Sequence, residues 1–224
     1  MLNDFLQSLF IDDTLYGYAE IDDDLKELSG CKCALVTFMP FPDMERKYSP
    51  NEFFEMSHEL SQLHSVKMNE IKDFLESQDI RYFTPPAVPR SDGEYRADFS
   101  YKWAAVHSGL GFIGKNDVFV HHKFGQRVRI SCLLIDVDLP AVQNVMASKC
   151  GNCDLCVKAC PYHNISGKQW ELSVKRDALI DFRHCALKSR HSGNGRKYLC
   201  CHCVMACPWH MRNGVNNEQI DYGR

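Results

Sequence analysis

The chain has 224 residues, of which 45% are hydrophobic, and its formal net charge at pH 7 is -3. This composition suffices for a buried core in one large or two modest domains, and the slightly negative charge argues against a protein that coats nucleic acid. No apolar run reaches the roughly 18 residues of a membrane span, and the N-terminal stretch carries acidic residues where a signal peptide would be basic. We therefore expect a cytoplasmic protein that does not enter a membrane.

The first predicted elements alternate between strand and helix. Residues 33–38 form a short apolar run that ends before two prolines, which predicts a buried strand. Apolar residues recur at threes and fours from Asn51 to Gln78, which predicts a helix with Asn51 as its cap. The other elements predicted for this half are a strand over 80–83, a helix over 99–108 capped by Asp98, and strands over 118–120 and 127–137. Helices interleaved with strands indicate an α/β layered domain.

Residues 109–116 read GLGFIGKN, and the first six satisfy the G-x-G-x-x-G spacing of dinucleotide-binding loops. Such a loop follows a strand and opens a helix, whereas this segment follows a predicted helix and precedes a predicted strand. The order disfavours a dinucleotide site, and Gly109 is suited to be the left-handed residue that ends a helix. A glycine-rich turn is the simpler interpretation, although three glycines beside Lys115 and Asn116 indicate a backbone that comes close to another group.

Cysteine is the unusual residue, with 12 in the chain and nine of them after position 149. Charge divides at the same place, because residues 1–149 carry a formal -8 and residues 150–224 a formal +5. These two changes near Pro140 indicate a domain boundary, and we assign residues 1–145 and 146–224 to separate domains. In a reducing compartment, clustered thiols more often bind metal than form disulfides.

The cysteine spacing is typical of iron–sulfur proteins. Residues 150–161 read CGNCDLCVKACP, which is the C-x2-C-x2-C-x3-C-P run of 4Fe–4S ferredoxins. The fourth cysteine of such a run serves the other cluster in two-cluster proteins. A second run, CCHCVMACP over 200–208, and Cys185 provide the remaining thiols. Crossing the runs over gives two sets of ligands: Cys150, Cys153, Cys156 and Cys207 for one cluster, and Cys160, Cys185, Cys200 and Cys203 for the other.

Three points in this half have alternative interpretations. Cys201 is an alternative ligand to Cys200, although the i, i+3, i+7 spacing favours Cys200. Zinc is the alternative metal, but structural zinc usually takes two separated pairs of ligands. The basic segment 188–197 either offsets the negative charge of the clusters or faces an anionic substrate, a partner or RNA.

The order of these motifs resembles epoxyqueuosine reductase, the cobalamin-dependent enzyme of queuosine tRNA maturation, and more distantly the corrinoid iron–sulfur reductive dehalogenases. The similarity covers roughly residues 30–210 and rests on GLGFIGKN, CGNCDLCVKACP, Cys185 and YLCCHCVMACPW in that order. It implies an α+β fold class, in which an N-terminal α/β layered domain of corrinoid-binding type precedes a bacterial ferredoxin-like domain. It also implies a bound cobalamin that is contacted by Gly109, Gly111, Gly114, Lys115 and Asn116.

The chain departs from that family at three places. The family's V-D-T-G-P stretch, whose aspartate is thought to donate a proton, is replaced by residues 87–98, so Asp98, Glu94 and Tyr95 are the candidate proton donors. The R-Y-x-x-G-R-D-Y-H stretch is reduced to ERKY over 45–48. A helical-repeat extension used for tRNA does not follow Trp209, which favours a small-molecule substrate over tRNA.

The function that we predict is an iron–sulfur oxidoreductase in which two 4Fe–4S clusters pass electrons to a cobalamin that reduces an unidentified substrate. A flavodoxin or a ferredoxin is the expected electron donor. One alternative is a corrinoid-free electron-transfer protein of ferredoxin type that docks a redox partner. Another is a compact RNA-binding or RNA-modifying protein that uses the basic segment 188–197.

Overall fold

The computed structural model describes residues 1–10, 12–86, 97–138, 144–193, 196–209 and 211, and between 189 and 199 it describes the backbone alone. The helices are α1 Leu2–Leu9, α2 Asp23–Ser29, α3 Pro50–Ser77, α4 Tyr101–His107, α5 Leu155–Ala159, α6 Arg176–Leu179, α7 Phe182–Ser189 and α8 His202–Met205. The strands are β1 Tyr16–Glu20, β2 Cys33–Pro40, β3 Tyr82–Phe83, β4 Gly111–Ile113, β5 Phe119–His121, β6 Val128–Ile135, β7 Arg190–Gly193 and β8 Arg196–Leu199. The chain therefore has the mixed helix and strand content expected from its sequence.

A four-stranded sheet in the order β1-β2-β6-β3 organises the N-terminal half. All of its neighbouring strands pair antiparallel, and Thr37 of β2 lies opposite Ser131 of β6 in the register. Strand β3 pairs with Ile135 and Leu134 of β6, and within the described part of the chain no strand pairs with residues 128–131 on that side, which leaves an open edge there. This edge matters because a cavity lies beside it.

Both faces of the sheet are covered, which explains why every residue of β2 is buried and all but Thr37 are apolar. Val36 and Phe38 face one core, where they pack with α4 and with Phe112 of β4. Leu35 faces the opposite core, which it shares with Ile71 of α3. The alternation of side chains along one strand thus serves two cores at once.

Helix α3 spans nearly the predicted range, but its cap is different. Asn51 is not the cap; Ser49 is, and its hydroxyl accepts from the backbone N–H of Glu52 while the Glu52 carboxylate accepts from the N–H of Ser49. Pro50 occupies the first helical position, where no N–H is needed. The capping-box residues S-P-N-E were therefore the better signal.

Other predicted boundaries also shift. Helix α4 is capped by the hydroxyl of Ser100 and not by Asp98. The strand predicted over 80–83 is confirmed only for two residues, and the glycine segment itself contributes β4, which forms a hairpin with β5. Elements before residue 30 that the sequence pattern did not reveal are α1, β1 and α2.

The cysteine-rich half consists of short helices and turns. Ile165 and Ile180 form an isolated antiparallel bridge, and β7 pairs with β8. The segment 188–197, predicted as a loop, begins in the end of α7 and continues into the paired strands β7 and β8, with residues 194–195 outside the described part.

Side chains from the two halves share cores. Trp170 and Leu179 pack with the core on one face of the sheet, and Val204 and Met205 pack with Phe41 near α3. The boundary at 145/146 stays a prediction. Within the described ranges no helix is both long and apolar enough to cross a bilayer.

Candidate metal centre and adjoining cavity

A tight turn arranges the first group of thiols. The N–H of Cys153 donates to the carbonyl of Cys150 over 3.0 Å, and Gly151 between them adopts a left-handed φ of 53°. Cys207 comes to this turn from the far end of the chain. Burial and, to a smaller extent, the nearby thiols of the turn together raise the pKa of the Cys207 thiol to about 11: Cys150, Cys156 and Cys153. The structure thus brings the first predicted set of four together.

The second group lies beside the first. Cys160 is buried with Ile165 and Ile180, and Cys185 and Cys203 pack against the same small core. Burial is the main cause that raises the pKa of Cys203 to about 12, and Cys200 and Cys185 are near enough to contribute to that rise. The second predicted set is therefore also assembled.

The two groups of thiols are adjacent. Cys156 packs against the core of the second group and contributes to the raised pKa of Cys203. Over the described ranges, no three His, Cys, Asp or Glu side chains meet at the position of a single metal ion.

Cys201 occupies a different place from its neighbours. Its side chain is 1% exposed and packs with Phe41 and Met44, and its Sγ donates to the carbonyl of Tyr48 over 3.4 Å. Cys200, by contrast, lies 3.3 Å from Nδ1 of His202 and acts electrostatically on Cys203. The geometry favours Cys200 over Cys201 as a ligand, as the spacing predicted.

The glycines of GLGFIGKN are required by close contacts. Gly109 ends α4 with a φ of 75°, as predicted. A Cβ added to Gly111 would lie 2.2 Å from the carbonyl oxygen of Val120, and one added to Gly114 would lie 2.9 Å from the side chain of Asn116. These glycines let the β4–β5 hairpin and the following turn pack closely.

The end of this segment holds the cysteine loops. Lys115 is 8% exposed, and its Nζ donates to the carbonyls of Gly151 at 2.8 Å and Cys153 at 3.0 Å. Asn116 exchanges two amide hydrogen bonds with Gln126, at 2.9 and 2.7 Å. Lys115 and Asn116 therefore face the thiol groups, and a contact between them and a corrinoid stays a prediction.

A cavity of 1110 Å³ lies on the other side of the same segment. Ile113 and Asp117, which flank the turn, belong to its wall. The apolar part of the wall is formed by side chains that include Phe99, Trp103 and Trp170. Its cationic side chains are Lys102, Arg129, Lys175 and Arg176, and Lys102 is paired with Asp117 at 2.5 Å. The cavity is thus large, partly aromatic and positively charged.

A buried histidine also belongs to the cavity wall. His64 of α3 bonds Thr37 through Nε2 at 2.7 Å and Ser131 through Nδ1 at 3.3 Å. Burial lowers its pKa to about 3, so the ring is neutral at ordinary pH. Sequence reasoning missed His64 because the helical pattern around it is apolar.

The predicted proton donors are only partly described. Asp98 is exposed and lies between Ala97 and Phe99, both of which line the cavity. Glu94 and Tyr95 lie outside the described residues. Tyr101 also lines the cavity; its hydroxyl donates to the carbonyl of Pro85 at 2.6 Å, and burial raises its pKa to about 12. Proton donation from Asp98, Glu94 or Tyr95 stays a prediction.

The comparison of sequences supports the interpretation of the cysteine half. Residues 149–210 match the family model of the 4Fe-4S double cluster binding domain. Over 132 residues the chain is 26% identical to an epoxyqueuosine reductase from Vibrio cholerae. The aligned region covers 54% of this chain and 33% of that relative. The chain thus spans about a third of the length of the curated relatives it matches.

The comparison of structures concerns the fold. A crystal structure of epoxyqueuosine reductase with a modified tRNA-Tyr stem loop matches with a TM-score of 0.60 at 16% identity, covering 99% of this chain and 68% of that one. A reductive dehalogenase, whose structure suggests a mechanism for B12-dependent dehalogenation, matches with a TM-score of 0.65 at 14% identity over 97% of this chain and 32% of that one. The predicted resemblance is confirmed: this chain is similar to epoxyqueuosine reductases in sequence and in fold, and its residues 149–210 match the model of a 4Fe-4S double cluster binding domain.

Proposed function

We propose that this chain is an iron–sulfur reductase that holds two 4Fe–4S clusters. The first would be held by Cys150, Cys153, Cys156 and Cys207, and the second by Cys160, Cys185, Cys200 and Cys203. The proposal is supported by the grouping of the thiols in these two sets and by the family model over residues 149–210. Eight thiols in two adjacent groups fit the ligand requirement of two cubane clusters.

We also propose that the cavity beside β6 takes a cobalamin together with a substrate. Its volume of 1110 Å³ lies above the 300–1,000 Å³ typical of pockets for drug-sized molecules, so it fits a large ligand. When bound, the clusters supply one-electron transfer and the cobalamin supplies a reducible cobalt centre. The chain's own contribution is to hold these groups next to each other and to exclude water from the path between them.

The single observation that carries this proposal is the position of residues 113–117. Ile113 and Asp117 line the cavity, whereas Lys115 between them donates to the carbonyls of the first cysteine turn. One short segment is therefore the shared wall of the two candidate sites. Electron transfer needs a donor and an acceptor that lie close together, and the protein's part is to hold them in that position.

For the substrate and the partners we propose chemical classes and not individual molecules. The cavity is positively charged, which suits an anionic substrate or an anionic part of one. One structural relative was crystallised with a tRNA stem loop, so tRNA is one candidate and a small molecule is the other. We propose a flavodoxin or a ferredoxin as the electron donor and the cytoplasm as the location.

The alternative function is electron transfer without a corrinoid. The departure from the V-D-T-G-P pattern favours it, because the family's proton donor has no direct counterpart among residues 87–98. In that case the cavity would be a docking surface for a redox partner.

The proposal is tested by anaerobic purification of the full chain followed by iron and sulfide analysis. We expect about eight iron atoms per chain and a broad absorption band from the clusters. Zinc, or markedly less iron, would contradict the proposal as a whole. Addition of cobalamin and removal of the excess on a desalting column then separates the two functions, because only the reductase retains the corrinoid absorbance.

A further inference from the structure

Arg127 is the largest side chain that the fold buries completely. It lies just before β6 and is 0% exposed, and its carbonyl accepts from the N–H of Phe41 at 2.9 Å. A guanidinium stays ionised in proteins, so this position places a full positive charge inside the molecule. A buried charge is costly unless it is paired and hydrogen-bonded.

Only some of the hydrogen-bond donors of this guanidinium have acceptors among the residues that the structure describes. Nη1 donates to the carbonyl of Arg46 at 2.8 Å and approaches that of Asp43 at 3.4 Å. Nε and Nη2 are buried without a hydrogen-bond partner in the described part of the chain. Two unsatisfied donors and a positive charge at one buried position therefore indicate an acidic or anionic group next to the guanidinium.

Four titratable side chains lie near enough to act electrostatically on Arg127, and they are the candidates for that group: Tyr48, Asp43, Cys207 and Cys201. The phenol of Tyr48 has a pKa raised by burial and is neutral. The Asp43 carboxylate already accepts from the backbone N–H groups of Glu45 and Arg46, at 3.0 and 2.9 Å. Cys201 donates its own proton to a carbonyl. Cys207 is the neighbour that would become anionic as a metal ligand, because metals bind thiolates.

We propose that Arg127 is the buried counter-charge of the cluster held by Cys150, Cys153, Cys156 and Cys207, and that it raises the reduction potential of that cluster. The inference rests on the proposed function. Reduction adds one electron to an already anionic site, and a fixed positive charge nearby stabilises the more negative state preferentially. Arg127 is a positioning residue in this scheme, because it acts on the potential and transfers neither electron nor proton.

The test is a redox titration of the anaerobically prepared full chain, with dithionite as the source of electrons and EPR as the readout. R127M and R127Q remove the charge, and R127M is the variant expected to fold, since an apolar residue of similar size often replaces a buried ion without loss of stability. We expect one of the two clusters to become at least tenfold harder to reduce, which is about 59 mV for a one-electron couple. The other cluster should keep its potential.

Two controls isolate the charge. R127K keeps a positive charge and should shift the potential less than R127M does. R81Q removes an exposed arginine outside the cavity, which pairs with Asp136 at 3.2 Å, and should leave both potentials unchanged.

Each other outcome has a defined meaning. Unchanged potentials in iron-loaded R127M and R127Q would overturn the inference and leave the proposed function intact. Equal loss of iron from all three Arg127 variants would assign the residue a purely structural role, which also overturns it. Loss of iron from R127M and R127Q but not from R127K would support it, because the charge would then be needed to hold the cluster. A wild-type chain without iron would instead remove the proposed function itself.

Discussion

The ammonium group of Lys115 lies 3.0 Å from the backbone carbonyl of Cys153 and donates to it. This contact joins two segments that are far apart in the sequence. It also explains why the glycine segment and the first cysteine run occur together, since the turn at Gly151 is held by the same ammonium group at 2.8 Å.

The first prediction concerns this contact. K115M should leave the carbonyls of the exposed Gly151 and the half-buried Cys153 without their donor, at a cost of about 1 kcal/mol each. We expect the iron of the variant to be released to a chelator roughly tenfold faster than that of the wild type, an effect of about 1.4 kcal/mol on the barrier. The measurement is the absorbance of the chelated iron against time.

K158M is the matched control for this prediction. Lys158 belongs to α5 of the same cysteine run, but it is exposed, and its ion pair among the described residues is with Asp154, at 2.9 Å. Exposed ion pairs between residues i and i+4 of a helix contribute little to stability. We therefore expect K158M to release iron at the wild-type rate. Equal rates for K115M and K158M would count against a holding role for Lys115.

The second prediction concerns Gly111. In G111A the new Cβ would lie 2.2 Å from the Val120 carbonyl oxygen and 2.5 Å from the Phe119 ring, so the hairpin must open. We expect a loss of about 3 kcal/mol in the free energy of unfolding, measured by denaturant titration. G167A should cost only about 1 kcal/mol, because its strain comes from a φ of 83° and its nearest contact is 3.7 Å away. If G111A and G167A lost the same free energy of unfolding, the close contact at Gly111 would not be the cause of the loss in G111A.

The third prediction concerns pH. The pKa of His64 is about 3 in the fold and near 6.5 in the unfolded chain, so between these values the unfolded chain binds the extra proton. The contribution of this residue to stability is therefore present above pH 6.5 and is lost as the pH falls towards 3, by roughly 1.4 kcal/mol per pH unit. Burial lowers the pKa of His121 in the same way, so His121 adds to the dependence of stability on pH.

The variant H64Q isolates this contribution. Its free energy of unfolding should fall less steeply than that of the wild type between pH 6 and pH 5 in urea titrations. H58Q changes an exposed histidine on the same helix and should keep the wild-type slope. A slope in H64Q as steep as in the wild type would contradict the assignment of a neutral, buried ring.

Much of this arrangement was accessible from the sequence because it depends on local spacing. The two sets of cysteines follow from their separations, and β2 and α3 follow from their apolar patterns. The burial of Arg127 was not accessible, because the alternation of Arg127, Arg129 and Ser131 predicts one solvent-facing side. Arg127 precedes β6, and its side chain lies under the segment 43–48, a tertiary contact that strand alternation does not encode.

The glycine segment shows the same limit. Its spacing correctly indicated a close backbone approach and a left-handed end for α4, but it concealed strand β4, because glycine is rare in strands. The cavity wall was equally hidden, since His64 and Trp103 come from separate helices that only the fold brings together.

The fourth prediction uses fluorescence to examine the cavity. Trp103 and Trp170 line it, whereas Trp209 donates to the carbonyl of His122 and packs against Phe112. Because cobalamin absorbs in the emission range of tryptophan, its binding should quench the fluorescence of the two cavity residues more than that of Trp209. W103F should therefore show a smaller quenched amplitude than the wild type, and W209F a larger quenched fraction. Quenching that disappears only in W209F would place the ligand elsewhere.

The fifth prediction separates neighbouring cysteines by their environment. Cys203 acts electrostatically with Cys200 and Cys185, so C203A should lose about half of the iron, the share of one cluster of two. Cys201 is buried among apolar side chains and donates to the carbonyl of Tyr48, so C201A should retain the full iron content and lose only about 1 kcal/mol of stability with that hydrogen bond. Iron analysis of both variants, prepared in parallel without oxygen, decides between them. If C201A loses as much iron as C203A, Cys201 is a ligand and the second set must be redrawn with Cys201 in place of Cys200.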